Sequence, residues 1–124
     1  MQDKEIELFS KGIRSFNNKK FYDAHEHWEE LWLDYRLKDA KFIQGLIQLA
    51  VSYFHYFNDN LKGARSMLAK SKLKFNGYKT VRGINVECLL LDIVKLEESY
   101  GELIEKPFKK EPYIISLKVK YEHS

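Results

Sequence analysis

The sequence predicts an all-α fold, a compact bundle of about five helices with an extended C-terminal tail. Apolar residues recur every three or four positions over most of the chain, which is the period of an amphipathic helix. Polar segments rich in Asn, Asp and Gly separate these stretches. Only one short run, residues 113–117, is β-prone, and one such run cannot form a sheet alone. We therefore expect a single domain over residues 1–124, with a helical core over about 3–100 and a tail over about 107–124.

The first two helices are predicted from about Asp3 to Phe16 and from about Phe21 to Arg36, on either side of the polar residues 17–20. The apolar face of the first contains Ile6, Phe9, Ile13 and Phe16. The apolar face of the second contains Phe21, Ala24, Trp28, Leu31, Trp32 and Tyr35. Because Trp28 and Trp32 lie one turn apart on this face, we expect both to supply a large buried area.

The third helix, from about Ala40 to Phe57, is apolar on almost every side. A helix with this pattern is expected to be central and buried. Asp39 is a plausible N-cap for it. Gly45 costs about 1 kcal/mol in a helix interior relative to Ala, so we expect a neighbouring element to approach the backbone closely there.

The fourth helix is predicted from about Leu61 to Phe75, and the fifth from Val86 to about Tyr100 with Asn85 as its N-cap. Gly63, followed by Ala64, suggests a second close helix crossing. The tail after Pro107 is expected to cross the helices as an extended strap.

Composition limits the class of protein. The 124 residues are 44% apolar and 15% aromatic, which argues against disorder. The single cysteine, Cys88, cannot form an internal disulfide, and this fits a reducing compartment; a role as a small filler is expected rather than one as a nucleophile. No apolar stretch of the length of a membrane span is present, and the first residues are charged. We therefore expect a soluble cytoplasmic protein without a membrane partner.

The charges are unevenly distributed, although the net charge is only +3. Residues 22–39 contain six acids and two bases, whereas residues 60–86 contain seven bases and no acid. The two regions could attract each other inside the domain, or the basic one could bind an anionic partner such as nucleic acid. We favour the first interpretation, because the bases spread over a broad arc with few aromatic residues between them.

Polar side chains on the second and third helices indicate a site between them. The two helices are joined by only a few residues, so they should pack as an antiparallel hairpin. Residues equally distant from the turn then face each other, which places His25 at the level of Val51, between Gln48 and His55. His25 and Glu29 are one helical turn apart and can both point into the seam.

Three interpretations of this cluster are open. Two imidazoles and a carboxylate are a normal ligand set for a catalytic metal ion, and Gln44 and Gln48 could support such ligands as hydrogen-bond donors. The same residues could instead form a neutral hydrogen-bond network that fixes the helix register. They could also bind a ligand without a metal.

These residues also carry a resemblance to a known family. The pattern His-Glu-x-Trp-Glu-x-x-Trp at residues 25–32, followed by Gln-Gly-Leu-Ile-Gln at 44–48, resembles the bacterial and archaeal domain-of-unknown-function family 309. The resemblance extends over roughly Ile6 to Leu96 and implies an all-helical domain. The family is sometimes labelled a predicted metal-dependent hydrolase. Six residues match its polar positions: His25, Glu26, Glu29, Gln44, Gln48 and His55.

The sequence thus leads to two functional hypotheses. In the first, a divalent metal bound by His25, Glu29 and His55 lowers the pKa of a bound water, with Glu26 or Glu29 as general base and Gln44 and Gln48 beside the bound group. In the second, the protein is a non-enzymatic binding or scaffold module. The polar cluster then stabilises the fold, and the basic helix 4 region meets an anionic partner. The partner would be a small molecule or a protein.

Overall fold

The computed structural model describes residues 3–105 and 111–120. Within these residues there are five α-helices and one short β-hairpin: α1 Asp3–Asn17, α2 Phe21–Asp34, α3 Ala40–Phe57, α4 Leu61–Lys74, β1 Thr80–Val81, β2 Ile84–Asn85 and α5 Val86–Glu105. The predicted all-α fold is confirmed. The remaining residues of the predicted tail, 107–110 and 121–124, lie outside the described part.

Helices α1 to α4 pack in series, and α5 packs against α4. The central position predicted for the third helix is confirmed, because six of its apolar side chains have no exposed surface: Phe42, Ile43, Leu46, Leu49, Ala50 and Tyr53. Trp28 fills the space between α1 and α2, and its indole Nε1 donates a hydrogen bond of 3.2 Å to the carbonyl of Phe9. No helix in residues 3–105 or 111–120 is long and apolar enough to cross a membrane.

Two predictions about the helix ends and interiors are confirmed. The side chain of Asn85 caps α5, accepting a hydrogen bond of 3.0 Å from the backbone N–H of Cys88. At Gly45, an added Cβ would lie 2.8 Å from the ring of Phe75, so α3 and the end of α4 do approach closely there.

Three local predictions were wrong. Asp39 makes no capping hydrogen bond, because its carboxylate accepts bonds of 2.6 and 3.1 Å from the guanidinium of Arg82. Trp32 is 39% exposed rather than buried. Cys88 is exposed and therefore fills no space in the core. Gly63 itself faces the side chain of Asn60, the N-cap of α4, but the predicted close crossing is present at Ala64, which is fully buried and whose carbonyl accepts a hydrogen bond of 2.7 Å from the hydroxyl of Ser52 in α3.

The hairpin before α5 was not predicted from the sequence, because its strands are only two residues long. Its turn residues Arg82 and Gly83 both have positive φ, as a two-residue type I′ turn requires. Gly83 has a second reason to be glycine, since an added Cβ would lie 2.5 Å from the carbonyl oxygen of Lys120 in the tail.

The tail, over residues 111–120, crosses the helices as the extended strap that the sequence predicts. Ile115 and Leu117 are buried in the common core. The hydroxyl of Tyr53 donates to the carbonyl of Tyr113 at 2.7 Å and accepts from the N–H of Ile115 at 2.9 Å. The side chain of Asn17 pairs with both backbone groups of Leu117. The strap therefore joins α1 to α3.

Candidate functional site

An open groove of about 280 Å³ lies along the packed helices α2 and α3. We call it the α2–α3 groove. It is lined by His25, Glu29, Trp32, Gln44, Ile47, Gln48, Val51 and Met67. As the hairpin register predicts, His25 and Val51 face the same space. Four of the predicted polar residues are therefore brought together, two from each helix: His25, Glu29, Gln44 and Gln48.

His25 and Glu29 form a close pair on the α2 side of the groove. Nε2 of His25 donates to Oε2 of Glu29 at 2.6 Å, across one helical turn. The side chains are 24% and 45% exposed, so the pair lies at the groove margin rather than in the core. With the proton on Nε2 in the neutral imidazole, Nδ1 is left as a hydrogen-bond acceptor.

Two polar atoms at the groove are buried without a partner among the described residues: Nδ1 of His25 and Oε1 of Gln48. A buried polar atom that lacks a hydrogen bond costs about 1–3 kcal/mol, so most such atoms in proteins are paired. The two atoms come from opposite helices of the same groove. Both are hydrogen-bond acceptors when His25 is neutral with its proton on Nε2.

A second groove, of about 360 Å³, lies along the outer side of α2, and His25 and Glu29 separate it from the first. We call it the acidic groove. Its lining is Tyr22, His25, Glu26, Glu29, Glu30, Leu33 and Asp34. Glu26 therefore lies beside His25 but outside the α2–α3 groove.

His55 lies apart from the pair. Its ring is near Phe54, with centroids 6.3 Å apart, and its Nδ1 lies 3.4 Å from the amide nitrogen of Asn60. His55 is not among the residues that line either groove. The sequence register placed it near His25, but the side chain projects toward the end of α3 that adjoins the α4 N-cap.

The donor set does not fit the metal ion that the sequence hypothesis requires. In the described ranges 3–105 and 111–120, no three His, Cys, Asp or Glu side chains are grouped so that they could hold a metal together. The expected set of His25, Glu29 and His55 is therefore not assembled. Nε2 of His25, a normal metal-binding atom, is already engaged by Glu29.

Sequence reasoning missed the apolar part of the site. Ile47 and Val51 come from α3 and Met67 from α4, and all three line the α2–α3 groove. Ile47 and Val51 belong to a helix that is apolar on almost every side, and no local signal in the sequence distinguishes Met67 from an ordinary buried methionine. Trp32 is the fourth member, and its exposure gives the groove an aromatic wall.

Part of the basic region between residues 60 and 86 is paired within the domain. Arg82 binds Asp39, and Nζ of Lys72 lies 2.9 Å from Oε1 of Glu97. The Arg82–Asp39 pair joins the basic region to the acidic region of residues 22–39, whereas Glu97 lies outside that region. Lys62, Arg65, Lys70 and Lys79 are exposed.

Comparison with known proteins agrees with the resemblance found in the motifs. Residues 9–67 match the family described as Domain of unknown function (DUF309). The match covers α3 in full, most of α1, all of α2 and the first half of α4, including every candidate site residue. The wider extent suggested by the sequence, to Leu96, is not part of the match. No curated protein matches the chain. Over residues 9–67, a little under half of its length, this chain is similar to the DUF309 family, whose function is unknown.

Proposed function

We propose that the α2–α3 groove binds a small amphipathic molecule that carries hydrogen-bond donors, such as hydroxyl or amide N–H groups. The observation that carries the proposal is that His25 and Gln48, which line opposite walls of one groove, each have a buried acceptor without a partner among the described residues, Nδ1 and Oε1 respectively. A ligand that donates to both atoms would satisfy hydrogen-bond acceptors that no described residue satisfies.

The rest of the lining supports an amphipathic ligand. Ile47, Val51 and Met67 offer apolar surface, and Trp32 offers an exposed ring. Small-molecule sites commonly combine a mostly apolar wall with a few polar groups that fix the orientation. The volume of about 280 Å³ suits a molecule of modest size.

Glu29 has a supporting role in this proposal. Its hydrogen bond to Nε2 holds the imidazole of His25 in one orientation and one tautomer, so that Nδ1 remains available to the ligand. An acceptor held in this way loses little conformational entropy on binding. The role predicted for Gln44 and Gln48, contact with the bound group, is kept for both.

Binding can be tested with the two tryptophans as reporters. A panel of small alcohols and primary amides with aromatic or aliphatic bodies would be titrated into ¹⁵N-labelled protein. We expect saturable shifts of the Trp32 indole N–H and no shift of Trp28, which is fully buried. The substitution His25→Ala should abolish saturation. His27→Ala is the matched control, because His27 lies on the same helix and lines neither groove.

The binding proposal fails if no probe gives saturable shifts at Trp32. It also fails if His25→Ala and His27→Ala change the affinity for a probe equally, because the orphaned Nδ1 atom would then contribute nothing specific.

The His25–Glu29 pair also supports a second candidate function, hydrolysis with His25 as the general base. An imidazole oriented by a carboxylate is a recurrent arrangement in acid–base catalysis, and no metal is needed for it. Glu29 would then be a positioning residue rather than the base, and Glu26 would take no part. In the variant His25→Ala, the rate constant for hydrolysis of p-nitrophenyl acetate should fall to the level given by free imidazole in solution. In His27→Ala it should not fall. Equal losses in both variants would leave only adventitious surface hydrolysis.

A further inference from the structure

Helix α5 carries apolar side chains on a side that faces away from the core. Leu91 is 60% exposed and Val94 is 37% exposed, although both are apolar. Glu87 and Lys95 are exposed on the same side, since residues spaced by four, seven and eight positions share one face of a helix. The opposite side of α5 is anchored in the core by Leu89, Ile93 and Leu96.

The order of charges on this side is self-complementary. Glu87 lies four residues before Leu91 and Lys95 lies four residues after it. If two copies of α5 cross in antiparallel fashion at Leu91, each Glu87 faces the Lys95 of the other copy, and the two leucines meet at the axis. In a two-fold contact of this kind, every favourable pair occurs twice, once on each side of the axis.

The surroundings of α5 have the same complementarity. The C-terminal half of the helix carries exposed Glu98 and Glu105, and the segment before the helix carries exposed Lys79. An antiparallel crossing moves the acidic half of one helix toward the basic segment that precedes the other helix. A parallel crossing would instead place Glu87 against Glu87 and Lys95 against Lys95, which is repulsive.

We propose that this face of α5, defined by Glu87, Leu91, Val94 and Lys95, is a contact between two copies of the chain in a two-fold antiparallel dimer. The occupant is a second copy because the charge order on the face complements itself. The contact is independent of the α2–α3 groove, and none of its residues lies within the family match over residues 9–67.

The size of the face sets the strength of the dimer. A helix of 20 residues is about 30 Å long, and one helical face buries less surface than the roughly 1,200–2,000 Å² of a stable interface. We therefore expect a weak dimer that forms only at high protein concentration. Within the described tail residues 111–120, Tyr113 lies at the edge of the face, where the ammonium of Lys95 is 5.7 Å from the centre of its ring.

Sedimentation velocity of the full chain over a wide concentration range tests the proposal. The weight-average mass should rise from the 14.8 kDa of one chain toward twice that value. Leu91→Lys should keep the protein monomeric at every concentration, because it places two like charges at the axis. Leu33→Lys is the matched control, since Leu33 is 65% exposed but lies on α2, and it should dimerise like the wild type.

Charge reversal tests the antiparallel register. Glu87→Lys and Lys95→Glu should each raise the dimer dissociation constant several-fold, and the double variant should restore the wild-type value. The proposal is overturned if the wild type stays monomeric, if Leu91→Lys dimerises as well as Leu33→Lys, or if the double variant is as weak as the single ones.

Discussion

At the scale of the residue, the candidate site depends on two polar side chains, His25 and Gln48, that each keep a buried atom without a hydrogen-bond partner among the described residues. His25 is held by Glu29 through Nε2, and its Nδ1 has no partner among the described residues. On the facing helix, Oε1 of Gln48 is also buried without a partner among the described residues. A buried polar atom without a partner lowers the stability of the folded protein, and such unfavourable features are common at functional sites.

The free-energy cost of the unpaired amide oxygen of Gln48 can be measured by replacing this residue. Gln48→Leu replaces the amide with an apolar side chain of similar size, so the buried acceptor disappears while the packing volume is kept. We expect the free energy of unfolding in urea to rise by about 1 kcal/mol. Gln44→Leu is the control, because Gln44 lines the same groove without a buried atom that lacks a partner, and it should change stability little. A loss of stability in Gln48→Leu would mean that the amide is satisfied in solution.

The sequence could predict this site only in part. The helical periods and the short connection placed His25, Glu29, Gln44 and Gln48 on facing helices, because those features are local. They could not decide the direction of His55, since the level of a residue along a hairpin does not fix its angle around the helix. They also could not show that Trp32 would remain exposed, because the burial of a residue at the end of a helix depends on which elements cover it.

At the scale of the element, close backbone contact explains why a glycine is placed inside the central helix. An added Cβ at Gly45 would lie 2.8 Å from the ring of Phe75, which is itself fully buried. Ser71 strengthens the same crossing, since its hydroxyl donates to the carbonyl of Gly45 at 2.7 Å. The sequence predicted a close approach from the glycine alone but could not name the partner, because α4 is brought there by the tertiary fold.

Two glycine substitutions should have opposite effects on stability. Gly45→Ala should lower the free energy of unfolding by about 1–3 kcal/mol, since the buried ring cannot move away. Gly101→Ala, inside α5, should raise it by up to about 1 kcal/mol, because an added Cβ meets nothing within 4 Å and alanine favours helix. Chemical denaturation of both variants checks the pair. Equal effects would contradict the close crossing.

At the scale of the whole molecule, buried tyrosines and the strap hold the helices together. The hydroxyl of Tyr53 binds the strap, and the hydroxyl of Tyr100 lies 3.0 Å from that of Ser52. Burial raises the pKa of both tyrosines above the ordinary value near 10. The single-domain organisation expected from the sequence remains a prediction. The anchoring of the strap could not be predicted from the sequence, because the residues that bind the strap are far from it along the chain.

Stability should therefore fall in alkaline solution. A group with a raised pKa in the folded state contributes its full stability below the pKa of the unfolded chain, near 10, and loses it as the pH rises further. We expect the free energy of unfolding to decline above about pH 10, by up to about 1.4 kcal/mol per pH unit for each buried tyrosine. Tyr53→Phe should make this decline shallower, whereas Tyr22→Phe, at a 51% exposed position, should not. An unchanged slope in Tyr53→Phe would contradict the assignment.

The strap should loosen when its anchor on α1 is removed. Asn17→Ala deletes two hydrogen bonds to Leu117, of 2.9 and 2.7 Å, and should destabilise the protein by about 1–2 kcal/mol. Hydrogen exchange at the amide of Leu117 should accelerate. Asn18→Ala is the matched control, because the side chain of Asn18 donates to the carbonyl of Arg14 in its own exposed turn. Equal exchange at Leu117 in both variants would show that this anchor does not hold the strap.

The central claim is that Glu29 fixes His25 so that Nδ1 is presented as an acceptor at the α2–α3 groove. Long-range ¹H–¹⁵N spectra of the imidazole rings at neutral pH test it most directly, since they report which ring nitrogen carries the proton. We expect His25 to show one tautomer with the proton on Nε2, and Glu29→Ala to allow exchange between tautomers, as in the reference His27. A spectrum in which wild-type His25 carries its proton on Nδ1, or averages between tautomers as His27 does, would contradict the account.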